Sequence, residues 1–325
     1  MPSDKKTSPD YPRYARKLLE VAKLHEVTKL HEVSGKDGSC KLPPGLYVVA
    51  TPIGNRGDIS LRALLTLAAV DRICCEDTRT SGALFTAYGI KKPLLSYTEH
   101  NDRKRTPEIM ARIAKGEAVA LVSDAGLPLI ADPGQRLVEA CRGEGFAVTV
   151  IPGANAALAA LAGSGLPTTQ FHFAGFLPSK SSQRLKALAA LKTSLATLLF
   201  YESPQRLADM LADLAQTMGR DRVGAVAREL TKLHEETRQG SLAELAAYYK
   251  AHPAKGEVVV LVAPPASIDV ASIDDIDELL KEHMRNKSLR DAVTIVTGLT
   301  GAKKSEVYAR ALWAARGAAG MKEGK

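Results

Sequence analysis

The chain has 325 residues, of which 45% are hydrophobic and 25% charged, and 44 Lys and Arg against 36 Asp and Glu leave a formal charge of +8. These proportions exclude a disordered or fibrous chain, and the length suits two domains of roughly 100–200 residues each. Cys40, Cys74, Cys75 and Cys141 show no CxxC pair and no metal-ligand spacing, so neither a disulfide framework nor a metal site is expected and a reducing cytoplasm fits best.

Residues 1–44 read as a solvated, partly helical extension. They hold nine basic and six acidic side chains and the pentapeptide KLHEV twice, at Lys23–Val27 and Lys29–Val33. His25 and His31 in that repeat are read as part of a charged tail rather than as a metal tract, and no apolar signal core follows the early lysines.

From Gly45 short β-branched runs alternate with amphipathic segments. Strands are expected at Leu46–Val49, Arg72–Cys74, Leu94–Tyr97, Val119–Val122 and Val148–Ile151. Leu61, Leu64, Leu65 and Ala68 mark one helix face, and Thr106 with Pro107 is expected to start another helix that Gly116 closes. Strands apolar on both faces and alternating with helices predict a parallel α/β sheet over residues 45–168. The 35 residues from Gly145 to Ser179 carry no Asp, Glu, Lys or Arg. Gly, Pro and Asn break them up before the roughly 20 apolar residues of a membrane span accumulate, so a buried strand and a small-residue helix are expected there.

Residues 169–265 form a second block. It has strands expected at Thr197–Tyr201, Val223–Ala227 and Glu257–Val262, a helix from Ser203-Pro204 to Gly219, and a capping box at Ser241 and Glu244. Residues 266–325 read as an acidic linker around Asp274–Glu278 followed by two basic helices. Six basic and two acidic side chains fall in the last 23 residues.

In an open parallel sheet, ligands bind beyond the carboxyl ends of the strands. Five loops there combine Gly, Pro and ionisable residues: Thr51–Asn55, Glu76–Arg79, Thr98–Asp102, Ser123–Pro128 running on to Asp132-Pro133-Gly134, and Pro152–Ala156. Taken singly each has a plain reading, Asp124 as a helix cap, Glu76-Asp77-Arg79 as a surface ion pair, His100 as a loop histidine. Their conjunction on one sheet edge predicts an anionic, Gly-rich cleft. No GxGxxG follows the first strand, and no GxxxxGK[ST], HExxH or GxSxG occurs, which argues against a dinucleotide site, a P-loop, a zinc hydrolase and an α/β-hydrolase.

The segments TPIGN (Thr51–Asn55), EDTR (Glu76–Arg79), EHN (Glu99–Asn101), SDAG (Ser123–Gly126), ADPG (Ala131–Gly134), GFLP (Gly175–Pro178), FYESPQR (Phe200–Arg206) and ARELTK (Ala227–Lys232) occur in that order. Together they resemble the ribosomal RNA methyltransferase branch of the tetrapyrrole methylase superfamily over about residues 45–264. Two positions depart from that pattern: Leu127 stands where a hydroxyl residue is usual, and Ala154-Asn155 where Pro and a small residue are usual.

The resemblance implies two α/β domains, a parallel five-stranded sheet followed by a mixed-sheet domain, with a helical C-terminal tail and usually a homodimer. It implies methyl transfer from S-adenosylmethionine, held between the domains, to the ribose 2′-hydroxyl of a decoding-centre cytidine in small-subunit ribosomal RNA. On that basis the cofactor is expected at Pro52, Gly54, Asp124, Ala125, Gly126, Leu127, Asn155 and Ala156, with Tyr201 and Arg228 from the second domain. A base that takes the hydroxyl proton is expected in the EHN or EDTR loops, at His100, Glu99 or Asp77. Arg79, Lys180, Arg184, Lys232, Lys303 and Lys304 are expected to hold RNA phosphate. Two alternatives stay open: a methylase of a corrin or porphyrin precursor on the same fold, and a ribosome-binding factor without catalysis.

Overall fold

The structure, a computed structural model, describes residues 42–265, 273–300 and 302–320, except for the side chains of 273–275 and 316–320. The KLHEV repeat, Cys40 and the last lysines lie outside the described residues.

The first sheet contains β1 (Gly45–Val49), β2 (Arg72–Cys75), β3 (Leu94–Ser96), β4 (Ala118–Leu121) and β5 (Val148–Ile151). All five are parallel, in the order β3-β2-β4-β1-β5. Helices α1 (Leu61–Ala69), α2 (Thr78–Tyr88), α3 (Asp102–Ala114) and α4 (Gln135–Gly143) connect them. Alternate strand residues explain the layering. Tyr47, Val49, Ile73 and Ala120 face α1 and α2 through Leu64, Leu67 and Phe85, while Leu46, Val48, Cys74 and Leu121 face α3 and α4 through Ile109, Ile113 and Leu137. This is a doubly wound sheet, as the apolar strands required. Leu42 is buried in the same core, so packing begins inside the segment read as an extension.

Helix α3 starts earlier than Thr106-Pro107 suggests. Asn101 precedes it and Pro107 lies inside it, because the Asn101 side chain folds the preceding loop, accepting from the Thr98 N–H at 2.9 Å. The Thr106 hydroxyl instead bonds the Tyr97 hydroxyl at 3.1 Å.

Helix α5 (Ala156–Gly163) leaves β5 and packs on a second sheet. That sheet holds β6 (Phe171–Phe176), β7 (Thr197–Glu202), β8 (Val223–Arg228), β9 (Glu236–Ser241) and β10 (Val258–Val262), in the order β6-β7-β10-β8-β9. Strands β6 and β7 run parallel, and the other neighbours are antiparallel. The other face of this sheet is covered by α6 (Ser181–Leu191), α7 (Leu207–Met218) and α8 (Leu242–Ala251). The capping box at Ser241 and Glu244 is present at the start of α8. Helix α7 begins at Leu207, three residues beyond Pro204, because Ser203–Arg206 form a turn in which the Arg206 N–H donates to the Ser203 carbonyl.

The stretch read as an acidic linker is helical. Helices α9 (Ile273–Met284), α10 (Leu289–Thr300) and α11 (Lys304–Gly320) enclose Leu280, Val293, Val296 and Val307. Asp277 is paired with Arg310 at 2.8 Å, which is why acidity there marks a helix face. Among the described residues no helix is long and apolar enough to cross a membrane.

Candidate active site

Connections leave β1 and β4 in opposite directions, toward β2 and β5, so a crevice opens between their carboxyl ends. A backbone bridge spans it. The Thr51 N–H donates to the Gly126 carbonyl at 2.8 Å and the Gly126 N–H donates back to the Thr51 carbonyl at 3.0 Å. Gly126 adopts φ +82°, and a Cβ there would sit 3.3 Å from Ile53 Cγ2, so this approach needs glycine.

Above the bridge lies a cavity of about 440 Å³ shared by the two sheets. The first contributes Ile53, Asp124–Leu127, Ile130–Asp132, Asn155 and Ala156; the second contributes Phe176, Tyr201–Pro204, Leu230 and Gly256–Val259. Tyr201 is wedged edge-on between Phe173 and Phe176, with ring centres 4.9 and 5.6 Å away. Asn155 caps α5, its side-chain oxygen accepting from the Leu158 N–H at 3.0 Å.

The motifs of the second sheet serve as joinery around this cavity. Glu202, fully buried, pairs with Arg206 at 3.1 Å, and Arg206 also donates to the Leu177 carbonyl at 2.8 Å, tying FYESPQR to GFLP. The Thr231 hydroxyl accepts from the Asn55 N–H at 3.0 Å, tying ARELTK to TPIGN. Backbone strain gathers on both walls, with φ of +73° at Leu129, +66° at Ala131, +51° at Glu229 and +67° at Thr231. Non-glycine residues in this region cost energy and persist where surrounding contacts enforce them.

The first wall is acidic. Burial raises the Asp124 carboxyl; the hydrogen bond it accepts from the Asp77 N–H opposes this, and the Asp77 charge adds to it. Asp132 is pushed up to about 6, chiefly by burial, with the Glu76 and Asp124 charges adding and the Ser123 hydroxyl opposing. Glu76 is raised first by burial and then by the neighbouring carboxylates. Like charges in a half-buried wall disfavour ionisation, and a bound cation reverses that.

Of the residues expected to hold cofactor, Asp124, Ala125, Gly126, Leu127, Asn155, Ala156 and Tyr201 all line the cavity. Pro52 and Gly54 do not; the neighbouring Ile53 does. Gly54 instead packs on Lys232, where a Cβ would lie 2.7 Å from Lys232 Cγ. Arg228 is turned to Glu236 at 2.7 Å, away from the cavity.

The expected bases are placed outside it. Asp77 caps α2 and grips Arg79, and these bonds hold its carboxyl down at about 2, too acidic to take a proton near neutrality. His100 is exposed. Glu99 is exposed on a second, polar groove with Asp102, Gln135, Arg136 and Glu139.

Among the expected phosphate contacts, Arg79 (90% exposed), Lys180, Lys303 and Lys304 reach solvent. Arg184 does not: its side chain is buried and pairs with Asp213 at 2.7 Å. Lys232 is held by Glu229 at 2.8 Å and Glu257 at 3.3 Å. Sequence reading does not single out Ile130, Leu230, Val258 and Val259, which look like any core residue; Ile53 and Asp132 fall within the loops expected at the cleft but receive no role of their own there.

A doubly wound parallel sheet joined to a mixed sheet across a shared cleft defines the tetrapyrrole methylase class of methyltransferases. Residues 45–246 match the family described as Tetrapyrrole (Corrin/Porphyrin) Methylases, and the chain belongs to that family. Residues 270–316 match the RsmI C-terminal HTH domain. The chain is 48% identical over 272 residues to the "Ribosomal RNA small subunit methyltransferase I" of Mesorhizobium japonicum, covering 83% of this chain and 92% of that one. It is 44% identical to the protein of the same name from Xylella fastidiosa, over 82% and 98% of the two chains, and 40% identical to that of Escherichia coli O157:H7, over 82% and 94%. Solved structures share the fold at lower identity. Uroporphyrin-III-C-methyltransferase from Thermus thermophilus gives a TM-score of 0.50 at 21% identity, over 68% of this chain and 94% of that one. Diphthine synthase gives 0.53 at 16%, over 67% and 89%.

Proposed function

We propose that this protein transfers a methyl group from S-adenosylmethionine to the ribose 2′-hydroxyl of a decoding-centre cytidine in small-subunit ribosomal RNA. The observation that carries the reading is the cavity between the sheets. Its volume lies in the range of small-molecule sites, its walls are largely apolar, and its carboxylates Asp124 and Asp132 have no cationic ion-pair partner among the described residues. An adenosyl group suits the apolar walls formed by Ile53, Leu127, Ile130 and Leu230, and the positive charges of the donor suit the carboxylates. When bound, the sulfonium supplies an activated methyl with a neutral leaving group.

The chain's own work is positioning. Gly126 permits close backbone approach, Asn155 fixes the start of α5, and Tyr201 is clamped by two phenylalanines. Alignment of this kind accounts for roughly 7–11 kcal/mol of barrier at best. Exposed Arg79, Lys180, Lys303 and Lys304 supply phosphate contacts, with α11 and its 75% exposed Trp313 as part of the RNA-facing tail. We take residues 45–168 and 169–265 as the catalytic domains and 266–325 as the RNA-binding region.

Exposed Val150 on β5, Leu158 on α5 and Phe171 on β6 support a homodimer. The described cysteines Cys74, Cys75 and Cys141 are free and buried, in keeping with a cytoplasmic protein.

The test is incubation with labelled S-adenosylmethionine and either small subunits from a strain lacking this activity or a corrin precursor, followed by mapping of the labelled nucleotide. Label on a ribose 2′-oxygen of the subunit RNA supports the proposal. Label only on the macrocycle, or none on either, overturns it.

A further inference from the structure

None of His100, Glu99 and Asp77 lines the cavity, whereas Asp124 and Asp132 do. Asp132 belongs to both hollows at this sheet edge. It lines the cavity between the sheets, and it also lines the open polar groove formed with Glu99, Asp102, Gln135, Arg136 and Glu139. Asp132 is the residue the two linings share, so an acceptor seated in the groove would meet it beside the donor cavity. The groove suits the neutral base and ribose hydroxyls of a nucleoside better than a phosphate, because Arg136 is already paired with Asp102 at 2.8 Å and the remaining charges are carboxylates.

We propose that Asp132 is the general base of the methyl transfer, an inference that rests on the ribose methyltransferase reading above. The hydroxyl proton passes to an Asp132 carboxylate oxygen while the ribose oxygen forms its bond to the methyl carbon. The carbon–sulfur electron pair stays on sulfur, so the sulfonium charge is lost, a neutral thioether leaves, and the carboxyl ends neutral.

Three features support this assignment. The segment carrying Asp132 is held in a costly conformation, with Leu129 and Ala131 both at positive φ, as expected where a reacting group is aimed by strain. The groups facing it are Glu76 from the end of β2, Ser123 and Asp124 from the end of β4, and Tyr201 from β7. No cation among them neutralises it, and burial with the two neighbouring carboxylates raises it to about 6, nearer to neutrality than an ordinary carboxyl and therefore better matched to base catalysis. Asp77, in contrast, is committed to Arg79.

The experiment compares wild type with Asp132→Asn and Asp132→Glu on unmodified small subunits. The Asn variant is expected to lose about 10²–10⁴-fold in kcat at saturating S-adenosylmethionine, beyond the weaker donor affinity that calorimetry should show once one carboxylate of the wall is gone. The wild-type kcat/KM is expected to fall with acid through about pH 6, with the limb of kcat at lower pH because the bound cation favours the carboxylate, and the Glu variant is expected to recover part of the rate. A readout independent of turnover is stability. Removing a carboxyl whose native form resists ionisation is expected to raise the melting temperature at pH 8 and not at pH 4, which separates this aspartate from one that holds the fold through an ion pair. An Asn variant with full kcat and the acidic limb intact overturns the assignment while leaving the methyltransferase reading in place. Wild type that methylates no ribose overturns both.

Discussion

Gly126 and Arg184 show how single residues divide the work in this chain. Gly126 sits at φ +82° in the cavity lining, where an added Cβ would meet Ile53 Cγ2 at 3.3 Å. Forcing an L-residue into that region costs roughly 1–2 kcal/mol, and the added methyl presses on the cavity floor. Gly126→Ala is therefore expected to lower the melting temperature by a few degrees and weaken donor binding at least tenfold, both readable by calorimetry. Arg184, expected from the chain to meet RNA, is buried against Asp213, with Ser181 also donating to that carboxylate at 3.1 Å. Leaving a buried charge unpaired costs roughly 3–5 kcal/mol. Arg184→Met should thus destabilise the protein strongly, while the folded fraction binds RNA as wild type does in filter-binding assays. Loss of RNA affinity at unchanged stability would restore the surface role.

At the scale of elements, α11 and the first sheet carry distinct functions. Exposed Lys303 precedes helix α11 and exposed Lys304 begins it, and the helix is anchored through Val307 and Ala311 and the Arg310–Asp277 pair. Charge at its exposed start can change without disturbing that core. The double variant Lys303→Ala/Lys304→Ala should weaken RNA binding and reduce the slope of log affinity against log salt by about 1 for each phosphate left without its lysine. Donor affinity should stay unchanged, because the cavity lining includes no residue of α11. Equal slopes for variant and wild type would remove these lysines from the interface. The strands of the first sheet are legible in sequence to within a residue at each end, since β-branched runs between Gly- and Pro-rich loops leave few alternatives. Strands β6 and β9 are not. FHFAGF is an edge strand with an irregular register between Phe173 and Phe176, and ETRQGS is an edge strand of half-exposed polar residues, so neither has the buried apolar run that marks a strand.

Two opposed sets of carboxylates set the pH response of the whole molecule. Asp102, Glu108, Glu229, Glu236 and Asp277 are lowered, in each case first by a hydrogen bond from a cationic partner. They add stability above their unfolded values, and it is lost as pH falls through the lower native ones. Glu76, Asp124 and Asp132 are raised by burial and by neighbouring carboxylates. Their contribution runs the other way: it is complete in acid and disappears as pH climbs, for Asp132 between its ordinary 3.8 and about 6. A cationic donor binds best once that wall is ionised, so donor affinity is expected to rise from pH 5 to pH 7 in calorimetric titrations, and donor binding should raise the melting temperature more at pH 7 than at pH 5. A pH-independent affinity would show that the wall carries no charge toward the donor.

The sequence alone determined the alternation of strands and helices, the all-parallel first sheet, and the loops whose carboxyl-end position makes a cleft. These are local or periodic properties, and backbone geometry turns them into structure with little freedom. Which polar groups stay available was a tertiary decision. Arg184 and Arg228 look like ligand-binding cations in the chain, but residues 29 and 8 positions away neutralise them, and Lys232 is held both by Glu229 three positions away and by Glu257 25 positions away. Asp132 looks like a turn residue and becomes the carboxylate shared by both hollows. Pairing and burial depend on what distant segments bring within a few ångströms, and no periodicity or spacing encodes that distance.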